Sequence, residues 1–129
     1  MAQNDQKIKS DAGKPQLSLV PLKILVAIAR IREYGLKKYL TRDGWKRVEE
    51  QRYIDALFRH LVAFVENPYG LDEESGLPHL WHLDCNAAFL TELTFDRLQK
   101  AVDEERQKRE KENDLWEQKE KILSKYSTK

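Results

Sequence analysis

A chain of 129 residues with 23 Lys and Arg against 22 Asp and Glu carries a formal charge of only +1. That balance argues against a general nucleic-acid binder or a protein held to a membrane by charge, and the length suits one domain with a helical appendage. A lone cysteine, Cys85, allows no intrachain disulfide, and the longest apolar run, Ile24 to Ala29, is too short to cross a bilayer.

The N-terminus MAQNDQKIKSDAGK has no apolar core region of a signal peptide, so a soluble cytoplasmic protein is expected, with residues 1–16 loose. Pro21 suits the first turn of a helix running to about Tyr34. Leu22, Leu25, Val26, Ile28, Ala29 and Ile31 make it apolar around much of its circumference, which predicts a central core helix stopped by Gly35. The stretch GLKKYLTRDGWKRV is irregular, with a turn at Asp43-Gly44. Its Lys37, Lys38, Arg42, Lys46 and Arg47 alternate with Tyr39 and Trp45. Such a mixture holds a phosphate tail and stacks a base, or it is a surface loop around one buried Trp.

A second helix is expected from about Arg52 to Glu66. Ile54, Leu57, Phe58, Leu61, Phe64 and Val65 form its buried face, Arg52, Asp55, Arg59 and Glu66 a polar stripe, and Tyr53 and His60 sit together on the opposite border of the apolar face. Asn67-Pro68 ends it, because proline disfavours helical backbone in the residue before it. The acidic loop LDEESG follows, and a third helix starts after Gly76 with Pro78 in its first turn. The inward side of that helix carries Leu83, Phe89, Leu90 and Leu93, but its first two turns place His79, His82 and Asn86 there. Each polar group left unpartnered inside costs about 1–3 kcal/mol. These residues therefore form either a satisfied buried network or a ligand or metal pocket with the loop carboxylates beside it. Cys85, on the same helix, reads as a small apolar filler.

Phe95, Leu98 and Val102 continue a helical face, after which Asp103 to Asn113 holds no apolar residue. That stretch is an exposed helix held by charge pairs or a frayed linker. Asp114 and Glu117 resemble a capping box opening a last short helix with Leu115, Trp116, Ile122 and Leu123, an apolar tip suited to a neighbouring subunit or to the chain's own body. The expected fold is all-α: a compact bundle of three to four core helices over residues 1–98, and a charged helical tail over 99–129 that serves oligomerisation.

No glycine-rich phosphate loop, cysteine pair for zinc or recognisable nucleophile setting is present. His79-x-x-His82 beside Asp72, Glu73 and Glu74 remains as the chemical centre. In order, the blocks KPQLSLVP, EYGLKKY, GWK, RYIDALFRHLVAF and DEESGLPHLWHLDCNAAFL resemble a largely phage-encoded family named for the N-terminal domain of dATP/dGTP diphosphohydrolases. The resemblance covers about Lys14 to Leu93. It implies cleavage of purine deoxynucleoside triphosphates and a general architecture similar to the helical MazG-type pyrophosphohydrolases. The motif positions carried over are Lys38, Tyr39, Trp45, Arg52, Tyr53, Arg59, His60, Asp72, Glu74, Ser75, His79, His82 and Asn86. Gly44 stands where the family has Asn, and Asp84 where it has a small residue. The MazG glutamate pattern is absent, with Asp55/Arg59 and His79/His82 in its place.

Two functions follow as expectations. One is a metal-dependent nucleoside triphosphate hydrolase. His79, His82 and Glu74 are its catalytic groups, and Asp72, Glu74, His79 and His82 hold Mg²⁺ or Mn²⁺. Lys38, Tyr39, Trp45, Lys46, Arg52, Arg59, His60 and Asn86 hold the nucleotide. The other is a nucleotide-binding or sequestering protein that uses the same pocket without chemistry. A helical adaptor acting through its charged tail is a third. The expected partners are a nucleotide and further copies of the chain in a homo-oligomer, with neither nucleic acid nor membrane.

Overall fold

The computed structural model describes residues 9–127, an all-α bundle of three helices: α1 (Leu22–Tyr39), α2 (Glu50–Glu66) and α3 (His79–Ser127). Short 3-10 turns at Leu17–Leu19 and Gly44–Arg47 punctuate the connections. Among the described residues the one strand-like pairing is an isolated antiparallel bridge between Leu71 and Pro78. Residues 9–16 are exposed and without regular structure, and residues 1–8, the first half of the segment expected to be loose, lie outside the described part. No described helix is long and apolar enough to cross a membrane.

Three helix boundaries repay comparison with the sequence. α1 does not stop at Gly35 but runs through it to Tyr39, because one helical glycine costs only about 1 kcal/mol. Leu40 supplies the left-handed closing residue instead, at φ 56°, and its N–H reaches the Leu36 carbonyl at 2.9 Å. α2 ends at Glu66, just before Asn67-Pro68. In place of a break at Asp114 and a separate last helix, α3 is one uninterrupted helix of 49 residues. The stretch across Asp103–Asn113 is composed of good helix formers and laced by pairs such as Gln99–Asp103 and Arg109–Glu105 at 3.1 Å.

Three stripes at helical spacing converge in the bundle. On α1, Ala27 and Ile31 are buried, and Tyr34 and Lys38 continue the same line. On α2, Arg52, Tyr53, Ala56, Arg59 and His60 share one face; on α3, His82, Cys85, Asn86 and Phe89 do. The segment between α1 and α2 is pinned over them. Trp45 stacks on Phe89 with ring centroids 4.6 Å apart, Tyr53 donates its hydroxyl to the Trp45 carbonyl at 2.6 Å, and Arg32 donates to the Arg42 carbonyl at 2.5 Å. Arg97 on α3 pairs with Glu50 at the start of α2.

Burial is sparse. Among the described residues only Ala27, Ile31 and Cys85 are buried. The expected apolar face of α2 splits: Ile54, Leu57 and Phe64 are half-buried, whereas Phe58, Leu61 and Val65 are exposed. α1 is likewise no enclosed core helix, since Leu22, Leu25 and Val26 are open to solvent. Every residue from 95 to 127 is exposed, so the apolar tip of α3 does not fold back on its own body.

Candidate active site

The three stripes and the acidic loop enclose a cleft of about 510 Å³, a volume suited to a small ligand. α1 contributes Arg32, Tyr34, Lys38 and Tyr39; α2 contributes Arg52, Arg59 and His60. The loop brings Asp72 and Glu74, and α3 brings His82 and Asn86. Seven of the eight residues expected to hold a nucleotide line it; Lys46 does not, and lies instead 3.7 Å from Asp43.

Residues 70–78 form a tight loop that sets Asp72 in place. The Asp72 N–H donates to the Leu77 carbonyl at 2.8 Å and the Gly76 N–H to the Asp72 carbonyl at 2.7 Å, with Gly76 at φ 72°. The Ser75 N–H donates to Asp72 Oδ2 at 2.9 Å, and the Leu77 N–H to Ser75 Oγ at 3.2 Å. Burial opposes the Asp72 charge, but the hydrogen bonds from Ser75 and the nearby imidazoles together hold its carboxyl below the usual range.

All three histidines gather behind this loop. His60 Nδ1 and His79 Nδ1 are 2.9 Å apart, and the His60 ring stacks on His82 at 4.5 Å between centroids and 8° between planes. His82 Nε2 shares a 2.6 Å hydrogen bond with Ser75 Oγ and stands 3.7 Å from Asp72 Oδ2. Burial, with His82 adding to it, pushes the His60 pKa down to about 4, so its imidazole is neutral at pH 7. Burial also lowers His82, against the pull of Asp72. The Asn86 amide donates to the His82 carbonyl at 2.9 Å.

The metal-ligand set expected from sequence was Asp72, Glu74, His79 and His82. The structure brings Asp72 and His79 together with His60: one ligand atom from each of these three lies within 4.8 Å of the others. Glu74 is engaged elsewhere. Its carboxylate pairs with Lys38, and Lys38 with the nearby Tyr34 hydroxyl holds its pKa down. Lys38 is correspondingly raised by Glu74, and Tyr34 by burial and then Glu74. The exposed Lys38–Glu74 pair turns the Glu74 carboxylate towards Lys38, and Asp72 is the carboxylate that stands beside the imidazoles.

Trp45 is less available for stacking than the sequence suggested, because Phe89 covers one face. Tyr39, 66% exposed at the rim beside Lys38, is the open aromatic. Arg32 and Tyr34 escaped the sequence reading, although Tyr34 stands four residues before Lys38 on the same α1 stripe. Arg32 lies 5.2 Å from the Phe89 ring centroid and 5.9 Å from that of Trp45.

No solved structure matches this chain. Over 83 residues it is 34% identical to a protein named dATP/dGTP diphosphohydrolase from Salmonella phage PMBT28. That match takes in 64% of this chain and 28% of the relative's length, so this chain spans little more than a quarter of that protein. Residues 4–105 match the family described as dATP/dGTP diphosphohydrolase, N-terminal. With cleft-lining residues from Lys38 to Asn86 all inside that match, the chain belongs to the dATP/dGTP diphosphohydrolase N-terminal family.

Proposed function

We propose that the cleft binds a purine deoxynucleoside triphosphate and hydrolyses it with the help of a divalent cation, Mg²⁺ or Mn²⁺. The observation that carries this reading is the meeting, in one cleft, of phosphate-binding cations with the Asp72 carboxylate and the imidazoles of His60 and His82, with His79 outside the lining but against His60. Among the described residues Arg52 and Arg59 engage no carboxylate, which leaves their guanidinium groups for phosphate oxygens. Lys38 supplies a third cation and Tyr39 an open ring for the base. In the reaction a water oxygen bonds to the α-phosphorus, the bond from that phosphorus to the bridging oxygen breaks, and diphosphate leaves with the electron pair. His82, held by Ser75 and close to Asp72, is placed to take the water's proton. His79 and Asp72 are the groups suited to a cation, which supplies charge neutralisation when bound.

A second reading, capture of the nucleotide without chemistry, is favoured by one feature: Glu74 is tied to Lys38, so one carboxylate alone serves the imidazole cluster. Incubation with dATP, dGTP and the other nucleoside triphosphates, with Mg²⁺ or Mn²⁺, separates the two. Monophosphate plus diphosphate supports hydrolysis; tight binding with intact ligand recovered leaves capture. No binding to any nucleotide removes both.

The working form is a homo-oligomer of this chain. A folded monomer of this mass exposes about 7,100 Å², and this chain exposes 11549 Å². Phe58, Leu61, Val62 and Val65 make an exposed apolar stripe on the side of α2 opposite the cleft, and Leu22, Leu25 and Val26 another on α1. A stable dimer needs about 800 Å² per partner, well within that excess. A second copy with the same apolar faces, related by twofold symmetry, covers them while leaving the cleft open.

A further inference from the structure

We infer that His60 Nδ1, His79 Nδ1 and one Asp72 carboxylate oxygen form a three-ligand site for a first-row transition ion such as Mn²⁺ in preference to Mg²⁺. The inference deepens the hydrolase reading by naming the ligands and kind of ion, yet it is tested without any nucleotide.

The argument starts from the two imidazoles. Their Nδ1 atoms come from different helices, α2 and α3, and meet at 2.9 Å. In the absence of an ion, one ring must be the donor and the other the acceptor. Around an octahedral ion with bonds of about 2.1 Å, adjacent ligand atoms stand about 3.0 Å apart, so the observed spacing suits neighbouring positions on one ion. Bonds of that length require ligand atoms no more than about 4.2 Å apart. The three-atom group spans at most 4.8 Å, so small side-chain rotations close it.

The donor set then selects the ion. Mg²⁺ favours oxygen ligands and retained water; imidazole nitrogens suit the later first-row ions, and two of them should hold even Mn²⁺, the weakest binder of that row, more tightly than Mg²⁺. Two imidazoles and one carboxylate on one side leave further positions open for water and phosphate oxygens. The supporting shell is present as well. Ser75 fixes Asp72 through its N–H, and His82 stacks on His60, holding that ring's plane. Gly70 sits against the opposite ring: its carbonyl accepts the His79 N–H at 3.2 Å, and a Cβ at Gly70 would stand 3.4 Å from His79 Cδ2.

Mn²⁺ alone is the probe. Titration of the full chain, followed by loss of the free-ion electron paramagnetic resonance signal, should show one bound ion per chain that survives a hundredfold excess of Mg²⁺. Nitrogen hyperfine coupling to the bound Mn²⁺ should report directly coordinated imidazole. His60→Leu, His79→Leu and Asp72→Asn should each weaken binding at least tenfold, with helical content checked by circular dichroism, while exposed Glu73→Gln on the same loop should not. Absence of nitrogen coupling in the unaltered chain would overturn the assignment, even if a variant failed to fold. Displacement by Mg²⁺ at equal concentration, or loss of Mn²⁺ on Glu74→Gln with retention in His60→Leu, would overturn it too. A chain that binds Mn²⁺ through imidazole but leaves nucleotides intact would keep this inference and end the hydrolase reading.

Discussion

His60 and His79 are separated by 19 positions in the chain, yet their Nδ1 atoms stand 2.9 Å apart. The contact closes the α2–loop–α3 unit on itself and fixes where the acidic loop lies. If the histidines of this cluster only satisfied one another, their replacement by leucine would be tolerated in every respect, as often happens with buried polar groups. The expected outcome for His79→Leu combined with His82→Leu is different. The helical fold persists, with stability changed by no more than about 2 kcal/mol, while ligand and metal binding are abolished. Calorimetry paired with melting curves measures both; retained affinity refutes this placement of the site.

The Ser75–His82 contact predicts a coupling. Ser75→Ala removes the 2.6 Å hydrogen bond to His82 Nε2 and the acceptor of the Leu77 N–H, and should destabilise the fold by about 1–2 kcal/mol. Combined with His82→Leu, the loss should fall short of the sum by about 0.5–1.5 kcal/mol. Urea denaturation of the four proteins gives the cycle, and strict additivity would show that the two side chains act independently.

Substitution of Arg59 or Lys38 by alanine should weaken triphosphate binding about tenfold, with a smaller dependence on salt than the parent. Neither change should move the melting temperature appreciably, since both side chains are exposed. Equal affinity for nucleoside and triphosphate in the unaltered chain would show that phosphate charge is not what the cleft reads.

How much of this was legible in advance depended on how local each cause is. The end of α2 was, because Asn67-Pro68 acts on its own backbone. The Gly35 stop was not, because helix propensity is a small term and Leu40, four residues after Leu36, was free to take the closing conformation. The grouping of Lys38, Arg52, Arg59, His60 and Asn86 in one site came from the family resemblance, since the helix faces read from sequence set Arg52 and Arg59 across the apolar face from His60. The partnership of His60 with His79 did not, and neither did the diversion of Glu74 to Lys38. Both depend on how the loop turns between two helices, and helical periodicity carries no information about that.

Cys85 gives a prediction about pH. It is 3% exposed, and burial pushes its pKa up to about 11 from an ordinary value of 9.0. At pH 8 only about one thiol in a thousand is then ionised, so thiol reagents should react slowly with the folded chain and quickly in urea. The group is an acid raised on folding: its contribution is intact below pH 9 and is lost as pH rises towards 11. Denaturation midpoints should fall across that window, less steeply in Cys85→Ala. Equal thiol reactivity in folded and unfolded chain would contradict the burial.

Removal of residues 99–129 should leave the three-stripe core folded but lower the number of chains per assembly, because the last apolar residues of α3, among them Leu115, Trp116, Ile122 and Leu123, are exposed. At about 1.5 Å per residue, α3 is about 73 Å long, far more than the body needs. Light scattering is the measurement, and an unchanged number of chains per assembly after truncation would assign the association to the α1 and α2 faces alone.

The hydrogen bonds inside residues 70–78 have a consequence for the thermodynamics of binding. Four backbone and hydroxyl contacts, with the Leu71–Pro78 bridge at the neck, already restrict the segment that carries Asp72. Ordering a free segment costs about 1–2 kcal/mol per residue in backbone entropy, and here that loss belongs to folding and not to ligand capture. Ligand entry should therefore carry little unfavourable configurational entropy from this loop. The Asp72 and Gly76 amides should resist hydrogen exchange in the free protein almost as well as in the bound one, which marks the loop as a rigid template and not a closing lid.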